Sequence, residues 1–342
     1  MKTILLAALL VSAAGPAFAF LDNTGGSAAQ FLQIGAGARP YGMGDAFCAV
    51  AEGPDAMHWN VAGLAGMKAP SFSYTHAEPA ASVRHEYAAY GHPVPFLKGT
   101  LGVSLTYMAA DSLPVVTNAN LESGRFTPNS ESFSLAYATK FGIGEHRSSR
   151  DYYGEYWNVP GVHRPLSQGV EPWTGTLQAG IGFKYARENI HKRSGSAFLF
   201  DGGVLFRPVW LKGLALGFAF RNLGEQLRFI DSGRAAPAEF DFGAAYLVPV
   251  KRSRFLAAAG VTVPYYGSPE GRLGLEYGFR LNKSLEAALR LGMKSRTFDD
   301  LDPVTALTAG VGLGMGRTTV DIGIQPMAEL GVGYKVSLGY RF

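Results

Sequence analysis

The closing segment Leu330-Gly331-Val332-Gly333-Tyr334-Lys335-Val336-Ser337-Leu338-Gly339-Tyr340-Arg341-Phe342 alternates without interruption. Leu330, Val332, Tyr334, Val336, Leu338, Tyr340 and Phe342 share one parity. Gly331, Gly333, Lys335, Ser337, Gly339 and Arg341 share the other. Successive side chains of a strand point to opposite faces, so one face is large and apolar and the other small or charged. A helix would scatter both sets around its axis.

The same design recurs upstream. Leu273, Leu275, Tyr277 and Phe279 oppose Arg272, Gly274, Glu276, Gly278 and Arg280. Leu289, Leu291 and Met293 oppose Arg290, Gly292 and Lys294, and Leu101, Val103, Leu105 and Tyr107 oppose Gly102, Ser104 and Thr106. Such segments predict about fourteen strands, at 69–78, 83–92, 99–110, 130–141, 174–190, 196–208, 213–222, 238–248, 254–264, 270–281, 285–295, 305–316, 318–326 and 329–342. Connections at 209–212, 249–253, 282–284 and 316–317 are short, and those at 112–129, 223–237 and 296–304 are longer. That asymmetry is the one expected of an outer-membrane barrel with short periplasmic turns and long external loops. Residues 142–173 break the rule, as a Tyr-, Trp- and Arg-rich insertion on the short-turn side.

A soluble sandwich also alternates, so the small face decides. On a solvated sheet it would carry Lys, Glu and Thr. Here it carries Gly, Ala and Ser with occasional charges, as suits a crowded lumen, and the apolar face is left for lipid. Glycine is 44 of 342 residues, against a usual share of about 7%, and only 17% of residues are charged, against about 25%. After the N-terminal segment no run approaches the ~18 apolar residues of a membrane helix. A membrane-spanning form must therefore be a closed barrel, which satisfies every backbone group in lipid. Tyr107, Trp210, Tyr246, Tyr265, Tyr266 and Tyr340 near strand ends fit interfacial girdles. The net charge of +4, evenly spread, argues against a nucleic-acid partner. Cys48 is the sole cysteine, so no internal disulfide forms.

The N-terminus has a different character. Lys2, the apolar run Ile4 to Ala14 and Ala17-Phe18-Ala19 read as a secretory signal at 1–19, cleaved after Ala19. Residues 20–68 are Gly-rich, with a short helix expected from Pro54-Asp55 to about Asn60. Such a compact segment ahead of a barrel at 69–342 is best placed inside the lumen as a plug. The fold class is thus all-β: an antiparallel transmembrane barrel of about fourteen strands with a partly helical N-terminal plug. Its expected location is an outer membrane, with lipid as its first partner.

The plug segment resembles the PorV/PorQ family within the wider group of FadL-like barrels. The match runs over Gly35, Gly37, Ala38, Arg39, Gly42, Met43, Gly44, Ala46 and Phe47, then Trp59, Asn60, Ala62, Gly63 and Leu64. Asp45 stands where Gly is usual and Val61 where Pro is usual. Phe220-Arg221-Asn222-Leu223-Gly224 is similar to a mid-barrel family segment, and a C-terminal Phe resembles the assembly signal of outer-membrane barrels. The resemblance implies a hatch built from Gly35, Gly37, Arg39, Gly42, Met43, Gly44, Phe47, Asp55, Trp59, Asn60, Ala62 and Leu64. It implies two roles. One is protein secretion or surface attachment of the type IX kind, with secreted-protein or secretion-machinery partners. The alternative is FadL-like passage of hydrophobic small molecules, past the hatch and out through a strand kink, for which Gly202-Gly203 is the candidate. Phe31, Leu32, Ile34, Phe47, Met57 and Trp59 would wall the apolar pocket.

Enzymatic motifs do not emerge. Gly35-x-Gly37 lacks the third glycine of a dinucleotide loop, has no preceding strand, and has Pro40 where a helix should run. No Gly-x-Ser-x-Gly elbow exists, and the histidines show no metal-ligand spacing. Neither an enzyme nor a cofactor is expected. The remaining polar feature is the alternating set Arg272, Glu276, Arg280, Glu286, Arg290 and Lys294, read as lumen charges that pair with one another.

Overall fold

The computed structural model describes residues 26–79, 83–116, 120–143, 175–229, 233–282, 284–295 and 302–342. The signal segment and nearly all of the 142–173 insertion lie outside them.

Fourteen antiparallel strands close into a barrel. They are β1 (Ser71–Glu78), β2 (Val83–Val94), β3 (Gly99–Ala110), β6 (Asn129–Ile143), β7 (Gly175–Ile190), β8 (Arg193–Pro208), β9 (Leu214–Gly224), β12 (Glu239–Val250), β13 (Ser253–Pro264), β14 (Glu270–Arg280), β15 (Leu285–Lys294), β16 (Leu307–Met315), β17 (Thr318–Pro326) and β18 (Val332–Arg341). Closure comes from β1 pairing with both β2 and β18, which leaves no sheet edge. Two small hairpins, β4 (Leu113–Val116) with β5 (Glu122–Phe126) and β10 (Gln226–Arg228) with β11 (Gly233–Ala235), stand in the long connections at one end. We call this the loop end. The opposite turn end holds the short connections and the close of β18.

The alternation read from the sequence is the alternation of burial. Leu101, Val103 and Leu105 face outward while Thr100 and Ser104 are buried. Phe133 and Leu135 face outward while Ser130, Ser132 and Ser134 are buried. The outward set covers every barrel strand but β2, from Phe72 and Tyr74 on β1 to Val336 and Leu338 on β18. An apolar surface of that extent suits lipid, not water. Trp210, Tyr265 and Tyr340 are exposed near the strand ends.

The core lies inside the barrel. Residues 26–70 thread the lumen from the loop end to the start of β1. They form a 3-10 turn at Gln30–Gln33, one helical turn at Ala38–Gly42, another at Ala56–Trp59, and a 3-10 run at Val61–Gly66. The second helix falls where Pro54-Asp55 places it. The first corrects the expectation that Pro40 excludes a helix. Pro40 is its third residue, and the first four N–H groups of a helix have no internal partner to lose.

Wall and plug meet on glycine. Gly91 and Gly102 face Met67, Leu64 and Met57, and Gly217 and Gly243 face Cys48 and Ala49. Gly274 and Gly292 face Met43 and Gly44, and Gly310 and Gly323 face Gly42 and Ala38. These glycines pair across strands: Gly91 with Gly102, Gly217 with Gly243, Gly274 with Gly292, Gly310 with Gly323. The inward belt has no side chains because the plug occupies that space, with Met67, Leu64 and Met57 side chains at Gly91 and Gly102 and mainly backbone at the other pairs.

Candidate functional site

The plug motif is a set of interlocking backbone contacts. Trp59 lies over Gly35, whose added Cβ would sit 2.6 Å from the indole ring, and donates its Nε1 hydrogen to the Ala36 carbonyl at 2.8 Å. Asn60 joins plug to wall: its Nδ2 donates to Cys48 O and to Val204 O, both at 3.1 Å. Its Oδ1 caps the following 3-10 run by accepting from Ala62 N at 3.2 Å. Asp55 accepts from Ser73 Oγ on β1 at 2.6 Å. Met43, Phe47, Ala62 and Leu64 are buried core. Gly44 has φ +61 and rests against the backbone of Leu273 and Met293, a conformation and closeness that exclude a side chain. Asp45, where the family resemblance leads one to expect Gly, also has positive φ, at 57°. Its carboxylate pairs with Lys294 of β15, which offsets the cost of that backbone. Burial alone would raise the Asp45 carboxyl, but Lys294, Lys335 and Arg272 hold it down at about 2.

Charge holds the plug on one side of the lumen. Glu276 is fully buried and accepts from Arg39 of the plug and from Arg290 of β15, each at 2.7 Å. Arg39 also pairs with Glu52, and Arg290 reaches Asp321 at 2.7 Å. Lys335 donates to the Gly35 carbonyl. The six charges expected to pair among themselves therefore divide. Glu276 and Arg290 do pair, but Arg39 of the plug and Asp321 of β17 complete their set. Lys294 pairs with Asp45. Arg272 reaches Glu270 at 3.3 Å and Asp241 at 3.7 Å. Arg280 and Glu286 bond each other at 2.7 Å, yet at the turn-end mouth their side chains are 61% and 40% exposed. The strand register carries them past the end of the plug.

A second cluster was not anticipated as a unit. Arg221 donates to Glu239 at 2.6 Å and Asp241 at 2.8 Å, and stacks 5.5 Å over the Trp59 ring. Lys184 pairs with Asp201 at 2.8 Å and donates to Asn222 Oδ1 at 2.7 Å. Its only trace in the sequence is charge inside apolar strands, as in Phe220-Arg221-Asn222.

That cluster sits at the one register break in the wall. β8 and β9 pair in step up to Phe200 with Leu223, and resume one residue out of step at Gly202 with Phe220. The kink thus falls beside Gly202-Gly203, but the extra residue is on β9. Arg221 and Asn222 both point inward, and Asn222 takes φ +59 while its N–H bonds Asp201 Oδ1 at 2.7 Å. Gly202 and Gly203 have packing reasons to be glycine. The Phe220 ring covers the first, 2.5 Å from an added Cβ, and Asn60 abuts the second.

Narrow clefts remain between plug and wall among the described residues. One, open to solvent and with free space for about one water molecule, about 10 Å³, is lined by Phe31, Leu32, Ile34, Met57 and His58 of the plug and by Tyr87, Ser104, Thr106, Ser132, Ser134 and Lys184 of the wall. Another of similar size lies beside Phe47 and Trp59. The six residues expected to wall one pocket thus divide between two. Among the described residues no cluster of three or more His, Cys, Asp or Glu could hold a metal.

No protein-family model matches the sequence, and no curated protein matches it. Solved structures do. TodX, a toluene transporter of Pseudomonas putida, has a TM-score of 0.55 and 9% identity over 90% of this chain and 99% of its own. The Ralstonia pickettii toluene transporter TbuX has 0.54 and 11%, over 90% and 98%. A Pseudomonas aeruginosa FadL homologue has 0.50 and 10%, over the same shares. At these identities the likeness is one of fold, and the chain has a FadL-like barrel fold.

Proposed function

We propose that the protein lies in an outer membrane and passes small hydrophobic molecules through a lumen closed to ions. The observation that carries this reading is an apolar-faced cleft beside the plug. It opens between an apolar plug face of Phe31, Leu32, Ile34 and Met57 and the wall, above a plug seated by hydrogen bonds and ion pairs. The likeness in fold to two toluene transporters supports the same reading. Such a route needs no catalysis and no cofactor. Its exit, taken from the family resemblance, is sideways at the β8–β9 break beside Gly202 and Gly203, where pairing is already interrupted. Uptake of a toluene-class compound is the test, in cells of a Gram-negative host with and without the chain. Faster uptake with the chain is expected, and equal rates would overturn the proposal.

The motif from Gly35 to Leu64 favours a second reading, a partner-binding barrel in protein secretion or surface attachment. Native mass spectrometry after mild extraction from the outer membrane separates the two. A bound hydrophobic molecule without protein chains supports transport. Co-purifying chains without a small ligand support the secretion role.

A further inference from the structure

The outer face of the barrel is not uniform. At the β1–β2 seam it carries charge where the other walls carry Leu, Val and Phe. Alternate residues of both strands are buried, so Tyr74, His76 and Glu78 of β1 and Arg84, Glu86 and Ala88 of β2 point outward. His76 and Glu86 are direct cross-strand neighbours, joined from Nδ1 to Oε1 at 2.8 Å, and the Tyr74 hydroxyl donates to Glu86 Oε2 at 2.6 Å. His76 Nε2 reaches Glu78 at 3.6 Å. Arg84 is exposed and has no ion-pair partner among the described residues. These groups lie within the apolar band, not at its rim. On β18 the outward residues are Val332, Tyr334, Val336, Leu338 and Tyr340, and His76 pairs with the middle one, Val336. On the other side Glu86 and Ala88 pair with Tyr107 and Leu105 of β3. Ionisable groups at membrane depth face protein or water, and charge on the lipid face of a barrel destabilises it. Bonds within the seam lessen that cost but leave the charges against acyl chains, so this wall calls for a protein cover.

The order of the charges says which protein. A two-fold axis along the membrane normal, passing through the seam, brings β1 of one copy against β2 of the other. Going toward the loop end, β1 presents His76 and then Glu78, and β2 presents Glu86 and then Arg84. Register places His76 beside Glu86, and its continuation places Glu78 beside Arg84. Across the axis each glutamate therefore meets a basic group: Glu86 meets the partner's His76, and Glu78 meets the partner's Arg84. Size is complementary in the same sense. Tyr74 is the cross-strand neighbour of Ala88, so each Tyr74 faces the recess over the partner's Ala88.

We propose that two copies of this chain pair in the membrane through their β1–β2 seams, related by a two-fold axis. The inference goes beyond both readings of function and depends on neither. The strands β2, β3, β6, β7 and β8 separate the seam from the β8–β9 break, so the contact leaves that break facing lipid. The test is native mass spectrometry of the full chain, extracted from outer membranes with its lipid in a nanodisc-forming polymer. The unaltered chain is expected as a dimer. Glu78→Arg sets two basic groups against each other across the axis, and Arg84→Glu sets two acids, so each variant alone should self-associate about a hundredfold more weakly. Expressed together they should form the mixed dimer, told apart by mass, because each copy then supplies the charge the other lacks. Ala88→Phe adds only apolar surface to a lipid-facing strand, yet fills the recess for Tyr74, and should give monomers. Heat-modifiable migration on gels checks that each variant folds. A monomeric unaltered chain, homodimers that persist in the single-charge variants, or no mixed dimer on co-expression would overturn the proposal. So would a different protein chain bound in place of the second copy.

Discussion

His58 and Glu276 show how single side chains set the grip of the plug. His58 accepts from Arg221 Nη1 at 3.3 Å through its Nε2, so its bonded form is neutral. Burial, then the charges of Arg221, Lys184, Lys335 and His85, push it well below its ordinary value of 6.5. Its contribution to docking is therefore complete above that value and is lost as pH falls below it, by at most about 1.4 kcal/mol per pH unit. Asp45 adds a loss only below its ordinary 3.8, down to about 2. Asp55 opposes it, because burial raises its carboxyl and acid favours its docked form. Between pH 7 and 5, then, His58 is the group whose protonation loosens the plug, against the opposing effect of Asp55. Cys48 is the readout: it is the only cysteine, buried in the plug, and its thiol is raised by burial and Asp241. Labelling by a dipyridyl disulfide should speed up as pH drops from 7 to 5, and the increase should vanish in His58→Gln. An increase that persists in the variant would assign the acid response elsewhere. Glu276→Gln should act at all these pH values. It leaves Arg39 with Glu52 and Arg290 with Asp321, so the loss falls near the lower end of the ~3–5 kcal/mol for breaking a buried pair. Cys48 labelling should then rise by about a hundredfold, and an unchanged rate would show that Glu276 does not hold the plug.

At the scale of elements, plug and wall are two surfaces cut to one another. Gly292 lies under the plug backbone at Met43 and Gly44, and Gly310 lies under Gly42, whose added Cβ would stand 2.9 Å from the Gly310 Cα. Gly292→Val or Gly310→Val should leave the barrel intact, since both residues remain in regular strand pairing, yet prevent docking. The expected result is normal heat-modifiable migration with a freely reactive Cys48, whereas Leu291→Val on the outer face should change neither. A protected Cys48 in both glycine variants would mean that the plug tolerates displacement. Much of this was readable beforehand. Period-two alternation places the strands to within a few residues because lipid and lumen impose opposite demands on successive positions. Glycine on the inner face signals that something must approach. The partners of the charges were not readable. Arg39 and Asp45 reach residues more than two hundred positions away, and strand periodicity carries no information about how a plug is turned inside a barrel. The β9 bulge was hidden for another reason. Asn222 adopts a left-handed conformation available to Asn in any turn, while the neighbouring Gly202-Gly203 offers a louder but misplaced signal.

At the scale of the whole molecule, the question is whether a barrel of this size conducts. Eight strands enclose just enough room for side chains, and sixteen to eighteen leave a water channel. Fourteen with a glycine-lined belt would leave an open passage if the lumen were empty. Here the belt is occupied all round, from Gly91 against Met67 to Gly323 against Ala38. The plug is tethered at the loop end by Ala28 N to Ala235 O and Ala29 N to Glu188 Oε2, both at 2.9 Å, and is covalently continuous with β1 at the turn end. Such contacts argue against a continuous path for ions among the described residues, and the clefts found there are pockets beside the plug. In planar bilayers the intact protein should show no large steady conductance at neutral pH. Gly292→Val, which displaces the plug without deleting it, should open large events, and Glu276→Gln should give occasional ones in proportion to its faster Cys48 labelling. That correlation is the decisive part, because it ties current to undocking of one segment and not to damage of the wall. A large steady current from the intact chain would place an aqueous pore beside the plug and remove the basis for a lumen closed to ions.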